Sequence, residues 1–271
     1  MLYVHLTWLY IVIVLLFAIA YEHILLFIRD GSLSFVSFSC VSTALGVLLV
    51  LRADELWIYL LLIAAALTQK QFLRVFNHHF FNPSNFAILI ALWLFYDDAQ
   101  LLLAQLGDEL WLMFVVLGMS VAILYRASRW IIPLVFTLSY LVFEYLFVVS
   151  YDPALVFEDL LYRLYSISFL LFVLLMLTDP HTTPYRWYMQ VLFALVVASA
   201  TVTFDLLYGF RAWHMFLALA LVSPITPLVV LYSHKEFRVK LAIITALIVA
   251  CTLFIVLSIQ SRAPYYLIMD V

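Results

Sequence analysis

Apolar residues fall in about ten runs along the chain, roughly 4–28, 33–51, 56–67, 86–96, 110–125, 130–150, 160–177, 188–208, 213–232 and 239–259. Short polar or charged connections separate them, punctuated by Gly31, Asp97-Asp98, Gly107-Asp108-Glu109, Asp152-Pro153 and Gly209. In a bilayer each crossing segment must satisfy its own backbone polar groups, so such runs predict helices. The pattern predicts an all-α polytopic membrane protein of about ten transmembrane or half-spanning helices. They form one transmembrane domain over 1–271, with candidate repeat halves 1–127 and 128–271.

Two runs, Leu56 to Leu67 and Phe86 to Phe95, are too short for the ~30 Å core of a bilayer, which takes ~20 helical residues. Between them lies a polar, basic, His-bearing insert, Thr68 to Asn85. The spacing predicts a broken or re-entrant helix pair whose backbone is buried in protein or lines a cavity. Asn82-Pro83 reads as a helix start. Asn is a favoured N-cap, and Pro at the first helical position lacks only an N–H that would be unpaired anyway. Free N–H groups at such a start favour anions, and interrupted hydrophobic segments point to binding sites in membrane proteins.

Composition sharpens the class: 68% of the chain is hydrophobic and 11% charged, against about a quarter charged in soluble domains. The expected partner at this level is the lipid bilayer. A net charge of −3 supplies no basic patch for phosphate counterion displacement, which excludes nucleic acid. Cys40 and Cys251 sit in apolar runs and suggest neither a disulfide framework nor a Cys-based metal site. Ala18-Ile19-Ala20 has the form of a signal-peptidase site. No Lys or Arg precedes it, however, and the apolar run continues to Ile28, so an uncleaved first helix is expected.

Orientation is read from Lys and Arg. Arg29, Lys70, Arg74, Arg126, Arg129, Arg186, Lys235, Arg238 and Lys240 lie at odd-numbered connections. Arg52, Arg163, Arg211 and Arg262 lie at the other face, with the acidic loops 97–109 and 151–159. This predicts outside termini and a cytoplasmic 68–85 insert. Tryptophans at segment ends (Trp8, Trp57, Trp111, Trp130, Trp187, Trp213) fit interfacial belts.

Three carboxylates fall in or near spans: Glu22, Glu144 and Asp205. An ionised carboxylate at mid-bilayer costs at least a few kcal/mol. Glu144 is therefore expected to face other helices and to have a polar neighbour, and Glu144 and Asp205 are candidates for an ion or proton pathway. His23 and His214 lie near opposite faces, which disfavours a haem between them. His78, His79 and His181 could gather at one face as metal ligands or cofactor contacts, but no zinc spacing is present and no metal is expected.

A second motif, Thr178-Asp179-Pro180-His181-Thr182-Thr183-Pro184, follows the seventh run, and Asp179 or Thr183 could cap a helix there. Arg74, His78-His79 and Phe80-Phe81-Asn82-Pro83-Ser84-Asn85-Phe86, followed later by Thr178-Asp179-Pro180, resemble a known pattern. It is that of the family of large membrane proteins found in the Rnf electron-transport complex and the sodium-pumping NADH:quinone reductase. The match covers about 30 residues. The resemblance implies an inverted-repeat fold similar to urea and ammonium transporters, a flavin (FMN or riboflavin) in the membrane domain, and a bacterial inner (cytoplasmic) membrane location. The Ser-Gly-Ala-Thr attachment motif of larger members has its nearest counterpart in Ala198-Ser199-Ala200-Thr201, inside an apolar run. Any flavin is therefore expected to be non-covalent. Lys70, Arg74, His79, Asn82, Ser84, Asn85, Thr178, Asp179 and Thr182 are the expected contacts. The resulting expectation is a membrane electron-transfer subunit binding a flavin or quinone beside a redox partner. The alternatives are a solute or ion pathway on the same fold without cofactor, and a structural assembly subunit.

Overall fold

The computed structural model describes residues 8–31, 39–75, 78–101, 118, 120–121, 124–125, 127–150 and 155–228. Helices dominate. They are α1 (Trp8–Asp30), α2 (Ser39–Val50), α3 (Leu56–Phe72), α4 (Pro83–Leu94), α5 (Ile131–Glu144), α6 (Phe157–Leu164), α7 (Ile167–Leu171), α8 (Trp187–Tyr208) and α9 (His214–Val222). Two single π-turns extend α5 (Tyr145–Val149) and α7 (Phe172–Met176). Short strands β1 (Leu51–Ala53) and β4 (Ala99–Leu101) pair antiparallel, as do β2 (Arg74–Val75) and β3 (His78–His79).

Among the described residues three helices are long and apolar enough to cross a membrane: Trp8–Asp30, Ile131–Val149 and Trp187–Tyr208. Five apolar helices are shorter. The expected count of about ten spans is thus not met. Within the described residues the runs at 4–28, 130–150 and 188–208 hold full-length helices, whereas those at 86–96 and 160–177 are shorter or broken. The run at 160–177 breaks at Tyr165-Ser166, where Ser166 Oγ accepts from Phe169 N (3.2 Å) and starts a new helix. The described part of the run at 33–51 is the helix Ser39–Val50, which passes into β1. Most of 110–125 and all of 239–259 lie outside the described residues. The short helix expected at 56–67 runs on to Phe72, because Gln69, Lys70 and Gln71 are good helix formers with buried side-chain partners.

Exposed apolar residues form stripes at helical spacing. Leu134, Leu138 and Val142 make one on α5, and Leu9, Val12 and Leu16 lie on α1. Such surfaces suit a lipid environment. Trp8, Trp57, Trp130 and Trp187 are exposed at helix starts, as belt residues would be, whereas Trp213 packs on the core.

The interior divides into two apolar cores. One gathers α1, α2 and α3 (Val14, Ala44, Ile63), and the other gathers α5 to α9 (Phe136, Phe172, Phe216). Helix α4 serves both: Ala87 and Ala91, one turn apart, face the first, while Ile88 and Leu89 face the second. Without a water-driven force between helices in lipid, close packing and interhelical hydrogen bonds hold such a bundle. Helices α2 and α4 approach closely. A Cβ built on Gly46 would sit 2.6 Å from Ser84 Oγ and 3.1 Å from Ser84 Cβ. Gly46→Ala is therefore expected to displace Ser84 from its bond to Thr43 O and to lower stability by about 1 kcal/mol, read from thermal melts in detergent.

Candidate functional site

The two proline motifs meet where α2, α4 and the end of α7 converge. Helix α3 delivers the chain into the β2–β3 hairpin, paired as Arg74↔His79 and Val75↔His78. Asn82 then caps α4: its Oδ1 accepts from Asn85 N (3.1 Å), and Pro83 occupies the first helical position. The polar loop is held by both halves. Ser84 Oγ donates to Thr43 O (3.1 Å), Gln69 Nε2 to Phe81 O (3.3 Å), Asn85 Nδ2 to Phe216 O (3.0 Å) and Ser223 Oγ to Phe80 O (2.9 Å). Asn82→Ala is expected to cost about 1 kcal/mol for the lost cap, and more for its second contact, to Asp179. Denaturant titration would measure it.

No helix begins at Pro180 or Pro184. The Thr178–Pro184 segment is a chain of turns closed on Asp179, and α8 starts only at Trp187. Asp179 Oδ1 accepts from His181 N (3.0 Å), in the manner of an Asx turn, and its carbonyl accepts from the Thr182 and Thr183 hydroxyls (3.3 and 2.8 Å). That local bonding competes with a helix start. The freed Oδ2 reaches across to the other motif, accepting from Asn82 Nδ2 (3.2 Å) and His79 Nε2 (3.3 Å). His78 Nδ1 donates to His181 O (2.9 Å), and the His79 and His181 rings lie 4.9 Å apart. Arg129, buried, donates to Thr183 Oγ1 (3.0 Å). Burial works to raise the Asp179 carboxyl, but the His79 hydrogen bond and charge and the His181 N–H outweigh it, leaving it below the usual carboxylate value.

A partly open cavity of about 150 Å³ lies at this junction. Its polar wall is Ser39, Ser42, Thr43, His79, Asn82, Ser84, Asp179 and His181; its apolar wall is Leu171, Leu175 and Met176, with Gly46 and the prolines 83 and 180 between. Of the residues expected from sequence, His79, Asn82, Ser84 and Asp179 line it. Thr178, Thr182 and Asn85 are buried beside it with side chains bonded to backbone carbonyls. Lys70 is not at the cavity: its Nζ is paired with Glu22 Oε1 (2.5 Å), which also accepts from Gln71 Nε2 (3.0 Å). Arg74 is exposed on β2 and is not among the lining residues, although its cross-strand partner His79 is. The contribution of α2 was missed. Ser39, Ser42, Thr43 and Gly46 fall at helical spacing on one face, a small-residue pattern that marks close helix packing.

Glu144 and Asp205 belong to a second, separate cluster inside the C-terminal core. Glu144 faces other helices, with Arg163 Nη1 3.7 Å from its Oε1. Asp205 accepts from Arg163 Nη1 (2.7 Å), His214 Nδ1 (2.5 Å) and Arg211 N (2.9 Å). Sequence placed Arg163 at a membrane face and His214 among haem candidates, and missed both as partners. Arg163 is buried, because α6 is a short amphipathic helix that turns it inward. His23 bonds the Ile19 carbonyl of its own helix (2.8 Å). Thr201 is buried, its hydroxyl donating to Val197 O (2.9 Å). Among the described residues no group of three or more His, Cys, Asp or Glu side chains is placed to hold a metal ion. The chain matches no family model and no curated protein.

Proposed function

We propose that this is a membrane protein whose cleft between the two cores binds a small polar solute, neutral or cationic, and passes it across the bilayer. The observation that carries this reading is the lining of the cavity. Asp179, the one carboxylate among the lining residues, and Ser39, Ser42, Thr43 and Ser84 border a space of about 150 Å³ with no Lys or Arg among the lining residues. Such a wall favours cations or hydrogen-bonding neutral molecules over anions. The space is small for a flavin ring system, and Lys70, the expected phosphate anchor, is committed to Glu22.

A second reading keeps the electron-transfer role, with a flavin held non-covalently and a redox partner alongside. The contact between Asn82 and Asp179 favours it, since it joins the two motifs that carry the resemblance. Riboflavin suits this site better than FMN because it brings no phosphate. Two measurements on the purified full chain separate the readings. Proteoliposomes should equilibrate a small amide such as urea or a small cation such as methylammonium faster than protein-free vesicles. An absorbance band near ~450 nm, with flavin released on denaturation, would replace the solute reading with the redox one.

A further inference from the structure

The cluster around Glu144 contains more acid than base. Two carboxylates, Glu144 and Asp205, face one guanidinium, Arg163, and their side chains are 0%, 0% and 7% exposed. Asp205 is fully provided for by Arg163, His214 and the Arg211 N–H. Arg163 Nη1 also donates to Tyr140 Oη (2.5 Å), and the guanidinium lies 3.4 Å from the centre of the Phe210 ring, which shuts it from water. The turn that carries Phe210 and Arg211 opens at Gly209, whose φ of 85° is left-handed backbone that other residues rarely adopt.

Glu144 is left over. Neither of its oxygens has a hydrogen-bond partner among the described residues, and its nearest positive atom is 3.7 Å away. His214 Nε2, also buried, is likewise without a partner among the described residues, while Nδ1–H is used on Asp205. The groups facing this space are Tyr140 and Glu144 on α5, Arg163 on α6, Asp205 on α8, Arg211 in the turn and His214 on α9. Over the four buried side chains Glu144, Asp205, Arg163 and His214, charge arithmetic leaves one negative charge uncompensated if both acids are ionised and the imidazole is neutral; Arg211 lies outside that buried set, half-buried in the turn. A buried ion without hydrogen bonds costs several kcal/mol, far more than a neutral acid in the same place. A neutral imidazole leaves only a lone pair unpaired at Nε2, whereas an imidazolium would leave an N–H and a charge.

We propose that the buried set of Glu144, Asp205, Arg163 and His214 is a proton-binding site that holds one proton at neutral pH, carried on the Glu144 carboxyl, with Arg163 and Asp205 as a fixed ion pair beside it. The site stands apart from the cleft and does not depend on what the cleft binds. The helix changes to π hydrogen bonding immediately after Glu144. Single π-turns of this kind recur at functional sites.

The test is infrared spectroscopy of the full chain in detergent at about pH 7, using the carbonyl stretch of a protonated carboxylic acid. The expected result is a stretch that shifts with ¹³C-glutamate but not with ¹³C-aspartate labelling and is lost in Glu144→Gln. No such stretch, one that follows the aspartate label, or one that survives in Glu144→Gln overturns the proposal. Should Glu144→Gln not fold, Glu22→Gln decides, Glu22 being the other Glu that is nearly fully buried among the described residues. A glutamate-labelled stretch retained in Glu22→Gln, and also when Glu109 and Glu236 are changed to Gln, assigns the proton to Glu144; its loss in any of these variants refutes the assignment.

Discussion

Arg163→Met is expected to destabilise the protein by about 3–5 kcal/mol, enough to deplete folded protein from a detergent extract. Its guanidinium is the nearest cation to two buried carboxylates, at 2.7 Å from Asp205 and 3.7 Å from Glu144. Removing it leaves Asp205 ionised against only His214 and a backbone N–H, or forces a proton onto it. The same principle predicts a rescue. Replacing the whole set by neutral groups of similar volume is often neutral or stabilising, because the desolvation cost goes with the charges. Arg163→Met combined with Asp205→Asn and Glu144→Gln should therefore recover most of the loss. Thermal melts of the four proteins, wild type, Arg163→Met, Asp205→Asn with Glu144→Gln, and the triple variant, give the coupling directly. An Arg163→Met protein melting with wild type would mean the pair contributes nothing, and the surrounding packing alone fixes α6.

How far the sequence was legible follows from which rule each residue obeyed. Asn82-Pro83 announced a helix start and is one, because capping is local chemistry set by the four consecutive residues Asn82 to Asn85. The Thr178–Pro184 motif carried equally good cap residues and starts no helix. There Asp179 bonds His181 N and lends its other oxygen to Asn82 and His79, about a hundred positions earlier, and no local rule foretells that competition. The positive-inside count rests on an assumption that three of its residues do not meet. Lys70, Arg129 and Arg163 were taken as loop charges reporting on membrane sides, yet all three are buried, Lys70 against Glu22, Arg129 against Thr183 and Arg163 against Asp205. A cation held by an interior partner says nothing about which face of the bilayer it lies on. Glu144 was legible as a residue in need of company. Its neighbour was not, because hydropathy marks Arg163 as the end of a run rather than the inside of a core.

Asp179→Ala is expected to cost about 3 kcal/mol, since it strands three donors, the His79 and Asn82 side chains and the His181 N–H, at about 1 kcal/mol or more each. Asp179→Asn should lose less. Its amide oxygen can still accept from one or two of them, but its NH₂ must then face a donor. In both variants the cleft loses its only carboxylate among the lining residues, and solute flux is expected to fall with the charge even where the fold survives. The acid limb separates charge from shape. The Asp179 carboxyl is held below its ordinary value in the folded protein, chiefly by His79 against the opposing effect of burial. A depressed acid contributes stability that is complete above the unfolded carboxyl's range of about 4 and is lost as pH falls through the lower folded value. The stability gap between wild type and Asp179→Asn should accordingly be widest near neutral pH and shrink once the pH drops below about 4. A gap that stays constant down to that range would place the whole effect in shape and hydrogen bonding, with no ionised carboxylate at the junction of the two motifs.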